Sequence, residues 1–146
     1  RADAAMLAPP DAGFAGLPAR ERLFRVIMRW LDALAGHRRV TGEMLAAKLY
    51  PVHVHHNVAL VLWVSRTVQW IREAALLDAG GRRRQVEEIG LTGLFVATLY
   101  RWVRDESPGQ LRTREFLARR LERADGVMAR LWPPAAGADA ATAGRR

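Results

Sequence analysis

Tyr100-Arg101-Trp102-Val103-Arg104-Asp105-Glu106-Ser107-Pro108 runs into Leu111-Arg112-Thr113-Arg114-Glu115-Phe116-Leu117-Ala118-Arg119-Arg120, and this stretch decides the fold. Upstream of it, Ile89 to Tyr100 is almost without polar side chains, the composition of a helix buried in a helical core or a subunit interface. Downstream, Ser107 is a predicted helix cap with Pro108 at the first helical position, where a missing N–H costs nothing. Gln110, three residues past Ser107, completes a capping-box pattern. The stretch therefore predicts a tight corner between two long apolar helices.

Working outward, five helices are expected. The first spans about Pro18 to Ala35, with Leu23, Phe24, Ile27, Leu31 and Leu34 on its apolar face, and ends at Gly36. A short second helix, about Gly42 to Leu49, follows Thr41 as cap and stops before Pro51. The third, from about Pro51 to Leu77, has a centre, Val58 to Val64, that is apolar on all sides and belongs inside the domain. Gly80-Gly81 is the expected terminator before a fourth helix, about Arg83 to Arg104. The fifth, about Pro108 to Leu131, places Leu117, Leu121, Ala124, Met128 and Leu131 on one stripe. With no strand-like alternation of any length, the fold class is all-α. Residues 1–16 and 133–146, rich in Pro, Gly and Ala, read as disordered linker and tail around a helical domain at 17–132.

The chain has 146 residues, half of them hydrophobic, and no cysteine, which excludes disulfides, zinc–thiolate sites and cysteine nucleophiles. Its formal net charge of +8 invites a nucleic-acid reading. That invitation is weakened by the pattern: Lys48 is the sole lysine, and acids alternate with arginines as in Arg20-Glu21-Arg22, Arg72-Glu73 and Glu122-Arg123, the pattern of solvated helix faces. No apolar run reaches the ~18 to 20 residues of a membrane span, and the opening segment does not fit a signal peptide, so a cytoplasmic location is expected.

Few residues point to chemistry. His53, His55 and His56 cluster, but at most two share a helical face and no carboxylate lies nearby in sequence, so no metal site is expected. Arg82-Arg83-Arg84 reads either as an anion clamp at a helix start or as a solvated turn balanced by Glu87 and Glu88. Ser65, Gln69 and Arg72 line up between Trp63 and Trp70, as polar groups in a ligand pocket do or as an ordinary solvent stripe does. Gly90, Gly93 and Ala97 allow close helix packing. There is no nucleophile motif, no phosphate loop and no useful carboxylate pair, so no catalytic residues and no cofactor are expected, and the chain does not read as an enzyme.

Arg20-Glu21-Arg22-Leu23-Phe24, the Trp70 to Gly80 helix end, and Trp102-Val103-Arg104-Asp105-Glu106-Ser107 with Thr113, Phe116-Leu117 and Arg119-Arg120-Leu121-Glu122 carry a resemblance. Leu17 to Leu131 resembles the C-terminal ligand-binding and dimerisation domain of TetR/AcrR-type transcriptional regulators. Within them it is similar to the branch shared with the TetR-like lipid-binding accessory protein of ubiquinone biosynthesis. The resemblance implies a homodimer built from the last two helices, with Gly93, Ala97, Leu117, Leu121, Ala124 and Met128 at the interface. It also implies a small apolar ligand among the middle helices, lined by Val58, Leu62, Trp63, Arg66, Trp70 and Phe95. The family's helix-turn-helix has no counterpart here, so contact with DNA is expected only through a segment before Arg1. A lipid-binding accessory protein is the alternative that the same resemblance implies.

Overall fold

The computed structural model describes residues 12–48 and 54–133. Its α-helices are α1 (Ala19–Leu34), α2 (Arg38–Lys48), α3 (Val54–Ala74), α4 (Gly81–Val103) and α5 (Leu111–Leu131). Among the described residues there is no strand, and the fold is an all-α bundle. α1 packs against α3 and α5, α4 lies between α3 and α5, and α2 crosses α3 and α4. At the centre are Ile27, Trp30 and Leu31 of α1, Val68 and Ile71 of α3, Phe95, Leu99 and Trp102 of α4, and Leu117 and Leu121 of α5. Burial of such side chains, each worth roughly 1.5 to 3 kcal/mol, holds the helices together.

The domain begins earlier than expected. Phe14, assigned from sequence to a disordered linker, sits in a short 3-10 turn (Phe14–Gly16) and is buried in the core. The connection between α1 and α2 also differs: a 3-10 turn (Ala35–His37) carries the chain on at Gly36, and α2 starts at Arg38. Thr41 is therefore inside a helix, its hydroxyl donating to the His37 carbonyl at 3.0 Å and not capping anything. Gly42 has a packing reason, because a Cβ there would stand 2.7 Å from Val103 Cγ1 of α4.

The end of α3 corrects a second expectation. Gly80-Gly81 does not stop this helix; Leu76 does, at φ 54° in the left-handed region. Leu76 N–H donates to the Glu73 carbonyl at 3.0 Å and Leu77 N–H to the Arg72 carbonyl at 3.0 Å, the paired bonds that close a helix C-terminus. Glycine normally fills that position because a Cβ is disfavoured there. Gly81, at φ 60°, instead turns the chain into α4.

The corner between α4 and α5 is real, but a different residue organises it. Pro108–Gln110 forms a 3-10 turn, with Gly109 and Gln110 both in the left-handed region, and α5 proper starts at Leu111. Gln110 closes no capping box: its Oε1 is buried without a partner. Ser107 Oγ accepts a bond from Arg112 N–H at 3.2 Å, but the main acceptor is Asp105, 3% exposed. Its Oδ2 accepts from Thr113 N–H at 2.7 Å and Thr113 Oγ1 at 2.6 Å, and its Oδ1 from Ser107 N–H at 2.9 Å and Ser107 Oγ at 2.5 Å. Arg38 of α2 donates to the Asp105 carbonyl. Arg114 completes the corner, donating to the Gly109 carbonyl at 2.9 Å and gripping both oxygens of Asp32 on α1 at 2.7 and 2.8 Å.

Burial pushes the Asp105 carboxyl up, but the hydrogen bonds from Ser107 and Thr113 outweigh it and hold the group well below the usual carboxylate range. Its stabilisation is therefore complete above the unfolded-state pKa of about 3.9 and is lost as pH falls from there towards the depressed folded value. Asp105→Asn is expected to lower stability by about 2 kcal/mol at neutral pH, and to flatten the acid limb of a plot of Tm against pH below about pH 4. In the other direction, Leu76→Gly is expected to raise stability by about 1 kcal/mol in urea unfolding, since Leu76 is exposed and only its backbone strain is relieved.

Candidate functional site

Two regions qualify. The first surrounds three rings drawn from α1, α3 and α4. Trp30 meets Phe95 edge-on at 5.4 Å between centroids, and Trp63 approaches Trp30 at 6.1 Å and Phe95 at 6.5 Å. Trp30 and Phe95 are fully enclosed, whereas Trp63 is 36% exposed and carries the cluster to the surface. The structure thus brings Trp63 and Phe95 together as the sequence expects. It adds Trp30, which shares the α1 stripe of Ile27 and Leu34 but was not singled out from the sequence.

The remaining expected lining residues are spread outward. Leu62 is exposed, Arg66 lies over the Trp70 ring at 4.8 Å, and Trp70 is half-buried against the core. The Val58, His55 and His56 side chains, and all of His53, lie outside the described residues. Among the described residues no group of three or more His, Cys, Asp or Glu could hold a metal ion.

Beyond Trp70, α3 is clamped to the start of α4. Arg72, 4% exposed, bonds Glu87 Oε2 at 3.2 Å and lies 3.8 Å from Glu88 Oε1. Gln69 Nε2 donates to Glu88 at 3.1 Å, Arg84 to Glu88 at 2.8 Å and Arg83 to Glu87 at 3.0 Å. Bonds from Arg84 and Gln69 hold the Glu88 carboxyl below its ordinary pKa. The polar row on α3 is therefore structural at Gln69 and Arg72, and two of the three arginines opening α4 are taken by carboxylates one turn on.

The second region is the outer face of α4 and α5. Thr92, Gly93, Val96, Ala97, Tyr100 and Arg101 of α4 and Phe116 of α5 line an open groove of about 620 Å³. Val96 and Tyr100 are exposed, as are Ile89 before them and Val127 and Leu131 on α5. A Cβ at Gly90, Gly93 or Gly126 would meet nothing within 4 Å. Nothing inside the chain calls for glycine there, although each costs about 1 kcal/mol of helix stability relative to alanine.

Gly93 and Ala97 thus stand in the groove, while Leu117 and Leu121, expected beside them at an interface, are buried in the chain's own core. Ala124 is exposed and Met128 partly so. The sequence reading passed over Val96, Tyr100 and Phe116. The register row Val86, Ile89, Gly93, Val96, Tyr100 along α4 was the signal that could have found the first two.

Both regions are set in one all-α bundle, the aromatic cluster among its middle helices and the apolar outer face on its last two. A solved TetR transcriptional regulator from Nitrosomonas europaea matches with a TM-score of 0.72 and 45% identity, over 86% of this chain and 68% of that one. The COQ9 family model, that of a TetR-like lipid-binding protein of ubiquinone biosynthesis, matches residues 88–128, from α4 into α5. No curated protein matches. The chain belongs to the TetR family.

The clamp makes its own prediction. Arg72→Gln leaves two acidic groups without their buried partner and is expected to cost about 3 kcal/mol in urea unfolding. Arg83→Gln, at an exposed ion pair, is expected to cost under about 0.5 kcal/mol.

Proposed function

We propose that this chain is the effector-sensing and dimerisation domain of a TetR-type transcriptional regulator. It acts without catalysis: a small apolar ligand binds among α1, α3 and α4, and the response passes through a homodimer to a DNA-binding head that lies outside this sequence. The likeness to the Nitrosomonas europaea regulator over most of both chains carries this reading. Trp63 supports the ligand site because it is the member of the ring cluster that reaches solvent, beside the buried Phe95, and Val58, Leu62, Arg66 and Trp70 are the proposed remainder of its lining. Gly93 and Ala97 support the dimer, with Ala124 and Met128 on the neighbouring helix. Among the described residues no helix is long and apolar enough to cross a membrane, which fits the cytoplasmic location of a regulator.

A second reading, a lipid-binding accessory protein of the COQ9 kind, is favoured by the family-model match across α4 and α5. Native mass spectrometry separates the two. The regulator reading expects an empty dimer, and a monomer that retains an isoprenoid or phospholipid would overturn it. Gly93→Arg is expected to weaken the dimer by about a hundredfold or more. Helical circular dichroism should stay unchanged, because nothing in the chain stands near that position. Trp63→Ala is expected to weaken binding of an apolar fluorescent dye by about tenfold in a titration.

A further inference from the structure

The outer face of α4 and α5 is apolar enough to call for a partner, yet its charge is all of one sign. Along α4, steps of three and four residues give Arg82, Val86, Ile89, Gly93, Val96, Tyr100 and Arg104. Along α5 the same steps give Phe116, Arg120, Arg123, Val127 and Leu131. Neither row contains an Asp or Glu.

Three cations border the groove, Arg101 beside the rows and Arg104 and Arg120 from within them. Arg101 lines it, Arg104 stands 3.8 Å above the Tyr100 ring and Arg120 5.2 Å above the Phe116 ring. Stacking holds a guanidinium by its face and leaves its N–H edge for an acceptor. Neighbouring carboxylates are already engaged: Glu87 and Glu88 by Arg72, Arg83 and Arg84, Glu115 by Arg119, and Asp125 by Arg20. Glu122 falls on the far side of α5 by helical spacing from Phe116, and Glu106 lies in the corner beyond the end of α4.

In the proposed dimer a two-fold axis would lay this face on a copy of itself, so that the arginines of one copy meet a surface whose charge is also positive. In a contact from which water is partly excluded, that repulsion is weakly screened and opposes the burial of Val96, Tyr100 and Phe116. We infer that pairing through α4 and α5 is linked to the binding of a multivalent oxyanion of the phosphate class between the facing Arg101, Arg104 and Arg120 side chains. Planar guanidinium forks suit such an anion, since two N–H groups reach two of its oxygens. The inference rests on the proposed dimer at this same face, to which it adds a required counter-charge.

Sedimentation velocity on the full chain tests it, using a low-salt chloride buffer and then millimolar sodium pyrophosphate at matched ionic strength. Pyrophosphate is expected to tighten dimerisation by about tenfold or more, the effect of one or two charge-assisted bonds. The combined variant R101Q/R104Q/R120Q, altered at three exposed positions, is expected to dimerise in chloride alone and to gain nothing from pyrophosphate. A wild-type dimer of equal strength in both buffers would overturn the anion link and leave the dimer standing. Tightening that persists in the triple variant would place the anion elsewhere and overturn it too. Monomers of both proteins in every buffer would remove the dimer, and the inference with it.

Discussion

The Asp105 carboxylate is the constraint on which the bundle depends. Four donors from Ser107 and Thr113 converge on its two oxygens, while Arg38 reaches the carbonyl of the same residue from α2. One residue therefore ends α4, starts α5 and anchors α2. Through Arg114, which holds Asp32, the same corner is tied to α1. Charge-assisted bonds to a buried carboxylate are among the stronger hydrogen bonds in proteins, and leaving the group buried without them would be costly. The crossing of α4 over α5 inherits its rigidity from that arrangement, and so does the apolar face the two helices present.

That face and the ring cluster occupy different parts of the surface. Trp63 carries the interior of the bundle to solvent on the α3 side, whereas the groove between Gly93, Tyr100 and Phe116 opens on the opposite side of α4. Phe95 and Val96, adjacent in α4, point to the two regions in turn. Among the described residues α4 is the one helix that contributes to both.

Much of this was legible in the sequence, and the failures have identifiable causes. Apolar spacing found the helices, and the Trp102 to Thr113 pattern found the corner, since Asp105, Ser107 and Thr113 are the residues that bond there. Ser107 was preferred over Asp105 as organiser because capping rules weigh the residue next to the helix, and Asp105 acts across a 3-10 turn. Leu76 was missed because nothing in a leucine announces a left-handed backbone; the glycines nearby announced it in the wrong place. Leu117 and Leu121 were assigned outward because a helical stripe shows that a face is apolar but not whether its own chain covers it. The ring cluster came half-formed, with Trp63 and Phe95 singled out and Trp30 overlooked, although Trp30 falls on the same α1 stripe as Ile27 and Leu34.

Arg72 has a consequence for how α3 can move. The helix extends over roughly 30 Å at the usual rise per residue, and its last turns are fixed to α4 by Arg72 and Gln69. With that end fixed, any shift of α3 would be taken up at its contacts with α1 and α2. The load would fall on Glu87 and Glu88, nearly two turns into α4, towards the end of that helix farthest from Asp105.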